Sequence, residues 1–201
     1  GTVTKIDGDD LHVLFGAPGE QADHSARAVA CALDLDEYAV AFQQLCQKKE
    51  ITLGITRIGV HAGPAIVGNF GGGRFFDYTA YGDTVNVAAR LEAANKYFGS
   101  HVCVSSFLAQ KVNDFCGRPI GVLLLRGKTE AMRAFEPLRR EKFGSAATKS
   151  YLEAFAKLQS DDAAAMAAFA AHVGSYPEDQ LASFHLKRLL NGEKGTRIAL
   201  Q

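Results

Sequence analysis

The feature that most constrains the fold is the alternation of short β-type runs with two long helical segments. Residues 2–6 and 11–15 flank an Asp7-Gly8 turn signal, which predicts a β-hairpin at the start of the chain. Apolar residues at helical spacing predict a helix over about 24–48 and another over about 82–96. Hairpins interrupted by helices indicate a mixed α+β sheet, and we expect the helices on one of its faces.

The remaining elements divide the chain into two parts. Strands are predicted at 51–61, 65–69, 74–79, 102–104, 120–126 and 132–137, with a short helix at 106–113. Small polar residues predict a linker at 144–150, followed by alanine-rich helices at 151–159, 163–172 and 178–190. These helices are similar to one tetratricopeptide-type hairpin with a capping helix; the alternative is an extension packed on the main domain or on a neighbouring chain. We therefore expect a main domain over 1–142 and a small α-helical extension over 150–201.

Composition excludes several classes of protein. Among 201 residues, 47% are apolar, so a disordered chain is excluded. Lys and Arg total 22, as do Asp and Glu, and this balance argues against a nucleic-acid partner. No apolar run reaches the roughly 18 residues of a membrane helix, and no secretory leader is visible. The 4 cysteines have no metal-site or disulfide spacing, so we expect a cytoplasmic protein, with tethering through a preceding region left open.

Two groups of residues are candidates for a functional site. Asp9 follows the tight turn of the first hairpin, with Lys5 on the facing strand, and an exposed, rigidly held carboxylate suits a hard cation. Asn86 and Arg90 stand four residues apart, hence on one face of the second helix. A guanidinium beside an amide suits a phosphorylated ligand, because the arginine fork matches phosphoryl oxygens. Taken alone, each pattern also fits an ordinary turn or a solvated helix face.

Four stretches in order strengthen the functional interpretation. They are GTVTKIDGD at 1–9, RIGVHAG at 57–63, RFFDYTAYGDTVNVAARLE at 74–92 and RGKTE at 126–130. With these motifs the sequence resembles the catalytic domain of class III nucleotide cyclases, the adenylate and guanylate cyclases. The resemblance covers residues 1 to about 140 and implies a ferredoxin-like, palm-type sheet. It also implies an in-line attack of the ribose 3′-hydroxyl on the α-phosphate, with release of pyrophosphate.

The resemblance assigns roles position by position. Asp9 aligns with one of two aspartates that hold a pair of Mg²⁺ or Mn²⁺ ions. Asn86 aligns with the residue that orients the ribose, and Arg90 with the one that stabilises charge at the α-phosphate. The implied ions would activate the nucleophile and neutralise the leaving group.

The resemblance also implies which base is bound. Lys5 aligns with the lysine that reads the purine and Thr79 with its partner in base selection, while Lys128 and Arg74 align with cations on the triphosphate. In the guanylate-type members that the family includes, the positions that align with Lys5 and Thr79 hold an acidic residue and a cysteine. This chain has neither, so we expect ATP as the substrate.

Cyclases of this family are head-to-tail dimers, so the resemblance implies a homodimer with shared sites. Asp9 and Arg74 would come from one subunit and the other site residues from its twin. The family's first strand, with the second metal-binding aspartate, would precede Gly1. We therefore expect this chain to be part of a longer protein and not to turn over ATP alone.

Two other functions compete with an adenylate cyclase. One is a catalytically silent nucleotide-binding or dimerisation module that regulates a partner; the other is a diguanylate cyclase. The second carries a Gly-Gly-Asp/Glu-Glu-Phe turn, which Asp7-Gly8-Asp9-Asp10-Leu11 does not match. A protein partner of the helical extension is a further expectation.

Overall fold

The structure, a computed structural model, describes residues 1–200 apart from the side chain of Phe75. Residue 201, the last of the predicted extension, lies outside the described residues. The strands are β1 (Thr2–Asp7), β2 (Asp10–Leu14), β3 (Ile58–Val60), β4 (Ile66–Gly72), β5 (Phe75–Tyr81), β6 (Val102–Ser105), β7 (Gly117–Leu124), β8 (Met132–Pro137) and β9 (Arg197–Ala199). The helices are α1 (His24–Gln47), α2 (Asp83–Phe98), α3 (Ser106–Ala109), α4 (Arg140–Phe143), α5 (Ala146–Gln159), α6 (Ala165–Ser175) and α7 (Gln180–Leu190).

Five strands form one mixed sheet in the order β3-β6-β8-β7-β9. Its outer pairs, β3 with β6 and β7 with β9, are parallel, and β8 runs antiparallel to both of its neighbours. The hairpins β1-β2 and β4-β5 each form a two-stranded sheet of their own. The predicted mixed α+β architecture is therefore confirmed.

Helices cover both faces of this sheet, so the expectation of helices on one face was wrong. All four residues of β6 are buried, and their side chains alternate between faces. Cys103 belongs to the same apolar cluster as Leu91 of α2. Val102 and Val104 belong to a second cluster with α1 residues. A strand that is apolar on both sides needs a cover on both sides, and α1 and α2 supply one each.

The C-terminal helices pack on the sheet and on α2. Tyr151 of α5 is completely buried, and its hydroxyl donates to the Pro119 carbonyl of β7 at 2.7 Å. Phe184 of α7 meets Phe98 of α2 edge to face, with 5.2 Å between ring centroids. After α7 the chain returns to add β9 beside β7. The extension therefore contributes to the core that supports α2.

Several predicted boundaries were wrong. Within 51–61 the strand is limited to Ile58–Val60, and Ile51 and Ile55 are half exposed, in a segment without a strand partner among residues 1–200. The predicted helix at 106–113 ends at Ala109. Alternating apolar residues form a strand only where a neighbouring strand supplies hydrogen-bond partners for the backbone N–H and C=O groups.

The C-terminal boundaries were also misassigned. The predicted linker at 144–150 is mainly the first turn of α5, because the Ser145 hydroxyl caps that helix by accepting from the Thr148 amide at 3.2 Å. Strand β9 was not predicted, because three residues carry too little pattern to be recognised. None of the helices in the described chain has the length and apolarity needed to cross a bilayer.

Candidate active site

A cavity of about 240 Å³ lies where the β1-β2 hairpin, β5 and the start of α2 meet. Lys5 and His12 are cross-strand partners in the hairpin, so their side chains share one face. Thr79 lies on the facing strand β5, and Asn86 lies in the first turns of α2. Lys5, Thr79 and Asn86 all line this cavity. The structure thus brings together three of the residues singled out in the sequence.

The turn from β5 into α2 is what brings the strand and the helix to one cavity. It is made at Gly82, whose φ of 148° lies in a region that residues with a side chain rarely adopt. An aspartate at the start of a helix is a natural N-cap, so the sequence predicts that Asp83 caps α2. Its side chain makes no capping hydrogen bond and instead forms an ion pair with Lys128. That pairing lowers the pKa of Asp83 and fixes Lys128 at the start of the helix.

Arg90 lies one helical turn beyond Asn86 on α2. The residue is half-buried, and its Nη2 atom lies 3.5 Å from the position that a Cβ would take at Gly127. Its Nη1 atom is buried without a hydrogen-bond partner. A buried, unpartnered N–H donor is costly unless an acceptor is bound, so this atom is suited to an anionic ligand.

The ammonium of Lys5 is paired with a neighbour on its own strand. Lys5 Nζ lies 2.8 Å from Asp7 Oδ2, and this pairing raises the pKa of Lys5 and lowers that of Asp7. Both side chains are exposed, and Asp7 does not line the cavity. Lys5 is therefore a charged donor at the rim, free to turn toward a ligand at small cost.

Asp9 and Arg74 lie outside this cavity. Asp9 is in the β1-β2 turn, and Arg74 is in the turn between β4 and β5, five residues from Thr79. At ~3.3 Å per strand residue, Arg74 is roughly 16 Å along the hairpin from Thr79. The two predicted residues therefore project from hairpin ends rather than converging with the others within this chain.

The described residues do not form a metal centre on their own. Within residues 1–200 no group of three His, Cys, Asp or Glu side chains is placed to hold an ion. Burial of Glu92 in α2, together with the charges of Asp10 and Asp9, raises the pKa of its carboxyl. Asp9 alone does not complete a two-ion site within these residues.

Three polar residues of the cavity wall, His12, Asp77 and Tyr81, were missed by sequence reasoning. Asp77 precedes Thr79 by two positions and so shares its face of β5, which the alternation of that strand predicts. His12 was given no role, because its relation to Lys5 depends on the register of the hairpin. By contrast, His61 is hydrogen-bonded within the fold, with Nδ1 at 2.7 Å from the Ser105 hydroxyl.

Residues 2–135 match the model of the adenylate and guanylate cyclase catalytic domain. The chain belongs to this family. It is 35% identical over 137 residues to adenylate cyclase 1 of Rhizobium meliloti (strain 1021), which covers 68% of this chain and 21% of that protein. The chain thus spans about a fifth of that relative's length. Cyclases of this family generally use divalent metal ions.

Solved structures of the family have the same fold. The adenylyl cyclase CyaB from P. aeruginosa superposes with a TM-score of 0.63 at 28% identity, over 70% of this chain and 74% of that one. The guanylate cyclase domain of RhGC from Catenaria anguillulae, solved in complex with GTP, gives a TM-score of 0.57 at 27% identity, over 69% of this chain and 72% of that one. Because the similar proteins include both kinds of cyclase, family membership alone leaves the base open.

Proposed function

We propose that this chain is the catalytic domain of an adenylate cyclase, which converts ATP to 3′,5′-cyclic AMP and pyrophosphate. The observation that carries the proposal is the cavity shared by Lys5, Thr79 and Asn86, with Arg90 one helical turn away. The cavity supplies polar groups for a base and a sugar. The unpartnered Nη1 of Arg90 supplies a donor for a phosphate.

Base recognition follows from the donors and acceptors on the cavity wall. The Lys5 ammonium donates to N1 of adenine, and the Thr79 hydroxyl accepts from the exocyclic amine. Guanine has an N–H donor at N1, so it would place a donor against the Lys5 ammonium. This mismatch is the physical reason for assigning ATP rather than GTP.

At the phosphates, the ribose 3′-hydroxyl gives up its proton to water and its oxygen forms a bond to the α-phosphorus, while the bond from phosphorus to the pyrophosphate oxygen breaks and pyrophosphate leaves. Asn86 orients the ribose for this in-line attack. Arg90 donates to the α-phosphoryl oxygens, where negative charge grows in the transition state. Lys128, held beside the cavity by Asp83, contacts the triphosphate.

The positions of Asp9 and Arg74 support a homodimer with shared sites. Both lie on hairpin ends outside the cavity of their own chain. We assign them to the site of a second copy, where Asp9 is one ligand of the Mg²⁺ or Mn²⁺ ions that the family uses and Arg74 contacts the triphosphate. A symmetric dimer then has two equivalent sites.

Mixing two inactive variants tests the shared site. Asp9→Ala and Arg90→Ala are each expected to abolish both sites of their own homodimer. In a mixed dimer one site keeps both side chains, so random assembly should restore about one quarter of the wild-type rate. The measurement is the rate of cyclic AMP formation after co-expression of the two full-length variants. Absence of complementation in an assembled mixed dimer would contradict shared sites.

Base preference provides a second prediction. The wild-type protein should turn over ATP at least about tenfold faster than GTP at equal low concentrations, because Lys5 opposes the N1 donor of guanine. Combining Lys5→Glu with Thr79→Cys should reverse that ratio. Initial rates with each nucleotide decide the matter, and equal turnover of ATP and GTP by the wild type would refute the assignment.

The direct test of the proposed function is production of cyclic AMP from ATP and Mn²⁺ by the full-length protein. A catalytically silent nucleotide-binding or dimerisation module is the second candidate, and the incomplete metal site within residues 1–200 favours it. Saturable ATP binding by an assembled dimer that forms no cyclic AMP would establish the silent module instead.

We further infer that the N-terminal and C-terminal parts of the chain have different roles. Residues 1–142 form the cyclase unit, whose palm-type sheet gains β9 from the C-terminal part of the chain as an edge strand. The helices from residue 150 onwards, in a tetratricopeptide-like arrangement, brace α2 and offer a surface to a protein partner. We place the domain in the cytoplasm, where its substrate is abundant.

A further inference from the structure

His12 is a polar residue on the wall of the proposed base cavity, to which the activity assigns no role. It belongs to β2 and lies directly opposite Lys5 in the antiparallel register of the first hairpin. Cross-strand neighbours have Cβ atoms ~5 Å apart, within reach of a lysine and an imidazole. His12 is half-buried and lines the cavity with Lys5, Thr79 and Asn86. The imidazole of His12 is therefore within reach of the Lys5 ammonium.

In the structure the ammonium of Lys5 is paired with Asp7 of its own strand and forms no ion pair with a cavity-lining residue among the described residues. Its ammonium bonds to Asp7 at 2.8 Å, and Asp7 lies outside the cavity lining. An ammonium has three N–H donors, of which Asp7 uses one. The groups that face Lys5 from within the cavity are His12 and, across it, Asp77 and Tyr81 of β5. Neutral imidazole has one acceptor nitrogen, which the ammonium is able to use.

We propose that His12 is a positioning residue for base selection: its imidazole accepts a hydrogen bond from Lys5 Nζ and holds the ammonium inside the cavity. A second N–H of Lys5 is then directed at N1 of adenine. This inference rests on the proposed function, because it assumes a purine in the cavity. Adenine binding depends on the Lys5 donor, whereas guanine binding gains nothing from it. Loss of His12 therefore weakens the binding of ATP more than the binding of GTP.

Two substitutions in the full-length protein separate positioning from packing. His12→Leu fills the space but removes the acceptor, and it should weaken ATP binding by about tenfold while changing GTP binding by less than about twofold. His12→Gln restores an amide acceptor and should recover most of the ATP affinity. His24→Gln, in α1 and outside the cavity, is the matched control and should leave both affinities unchanged.

The readout is equilibrium binding of fluorescent ATP and GTP analogues, and the Michaelis constant where turnover is detectable. Selective loss for ATP in His12→Leu with recovery in His12→Gln supports the proposal. Equal loss for both nucleotides, no loss, or no recovery in His12→Gln overturns it. Because binding is measured without turnover, a protein that shows this selectivity but makes no cyclic AMP retains the inference and refutes the proposed function.

A measurement on the unsubstituted protein covers the case in which His12→Leu fails to fold. The ring resonances of His12 should shift when a non-hydrolysable ATP analogue is added, and inorganic tripolyphosphate should leave them in place. A shift with both ligands, or with neither, contradicts a position beside the base.

Discussion

Arg90→Ala is expected to lower kcat by about 10²-fold or more in the full-length cyclase, with a much smaller change in the Michaelis constant. The reason is that Arg90 acts on charge that appears only as the α-phosphate is attacked, so the ground state loses little. Arg90 Nη1 is buried and has no hydrogen-bond partner among the described residues, so this donor is not committed within the fold. Steady-state rates over a range of ATP concentrations separate the two constants.

Two further substitutions control this experiment. Arg90→Lys keeps the charge but removes the planar fork, so it should retain only part of the lost activity. Arg133→Ala removes an exposed arginine from β8 and should leave both constants close to wild type. Near-normal kcat in a folded Arg90→Ala protein would remove Arg90 from the proposed chemistry.

Local sequence predicted the elements that hold the cavity better than it predicted the cavity itself. The strand, Gly82 turn and helix that carry Thr79, Asn86 and Arg90 were predicted because the period of apolar residues changes from two to about 3.6 at a glycine. Helical spacing was enough to place Asn86 and Arg90 on one face. The roles of these residues as a set remain a prediction.

Features that depend on distant partners were not predicted. His12 faces Lys5 because of hairpin register, and the Asp83 carboxylate pairs with Lys128, 45 residues away, instead of capping its helix. Strand β9 exists because β7 offers it a parallel edge. The segment that includes Ile51 and Ile55 has the alternation of a strand and no strand partner within the described chain. In each case tertiary contacts override the local pattern.

A buried ionic network joins the sheet to the C-terminal helices, and it was not foreseen either. Arg118 of β7 donates to Glu136 Oε2 at 2.5 Å and forms a two-pronged bond with Asp179, which includes Nη2 to Oδ1 at 2.9 Å. His172 of α6 lies 3.0 Å from Asp179 Oδ2. The guanidinium also stacks 4.5 Å from the ring centre of Tyr151. Arg118 thus connects β7 and β8 to the helices that support α2.

Removing Arg118 should be the most destabilising single change in this region. Arg118→Ala leaves two carboxylates without their counter-charge in a buried setting, which typically costs about 3–5 kcal/mol in the free energy of unfolding. Although burial alone would raise the pKa of Asp179, hydrogen bonding and charge from Arg118 lower it. The folded state therefore gains stability above the unfolded pKa of this carboxyl, and loses it as the pH falls through the lower folded value. Urea unfolding at neutral pH measures the loss.

Arg139 provides the matched control, because it also pairs with two carboxylates, Asp34 and Glu37 of α1, but at the surface. Arg139→Ala should cost no more than about 1 kcal/mol, since exposed ion pairs contribute little. An equal, small loss of unfolding free energy in both variants would mean that the Arg118 network does not hold the C-terminal helices in place.

If Arg118→Ala is strongly destabilised, the substitution should also affect catalysis, because α7 supports α2 through Phe184 and Phe98. Conditions that keep Arg118→Ala folded should then show a lowered kcat, although Arg118 lies outside the cavity.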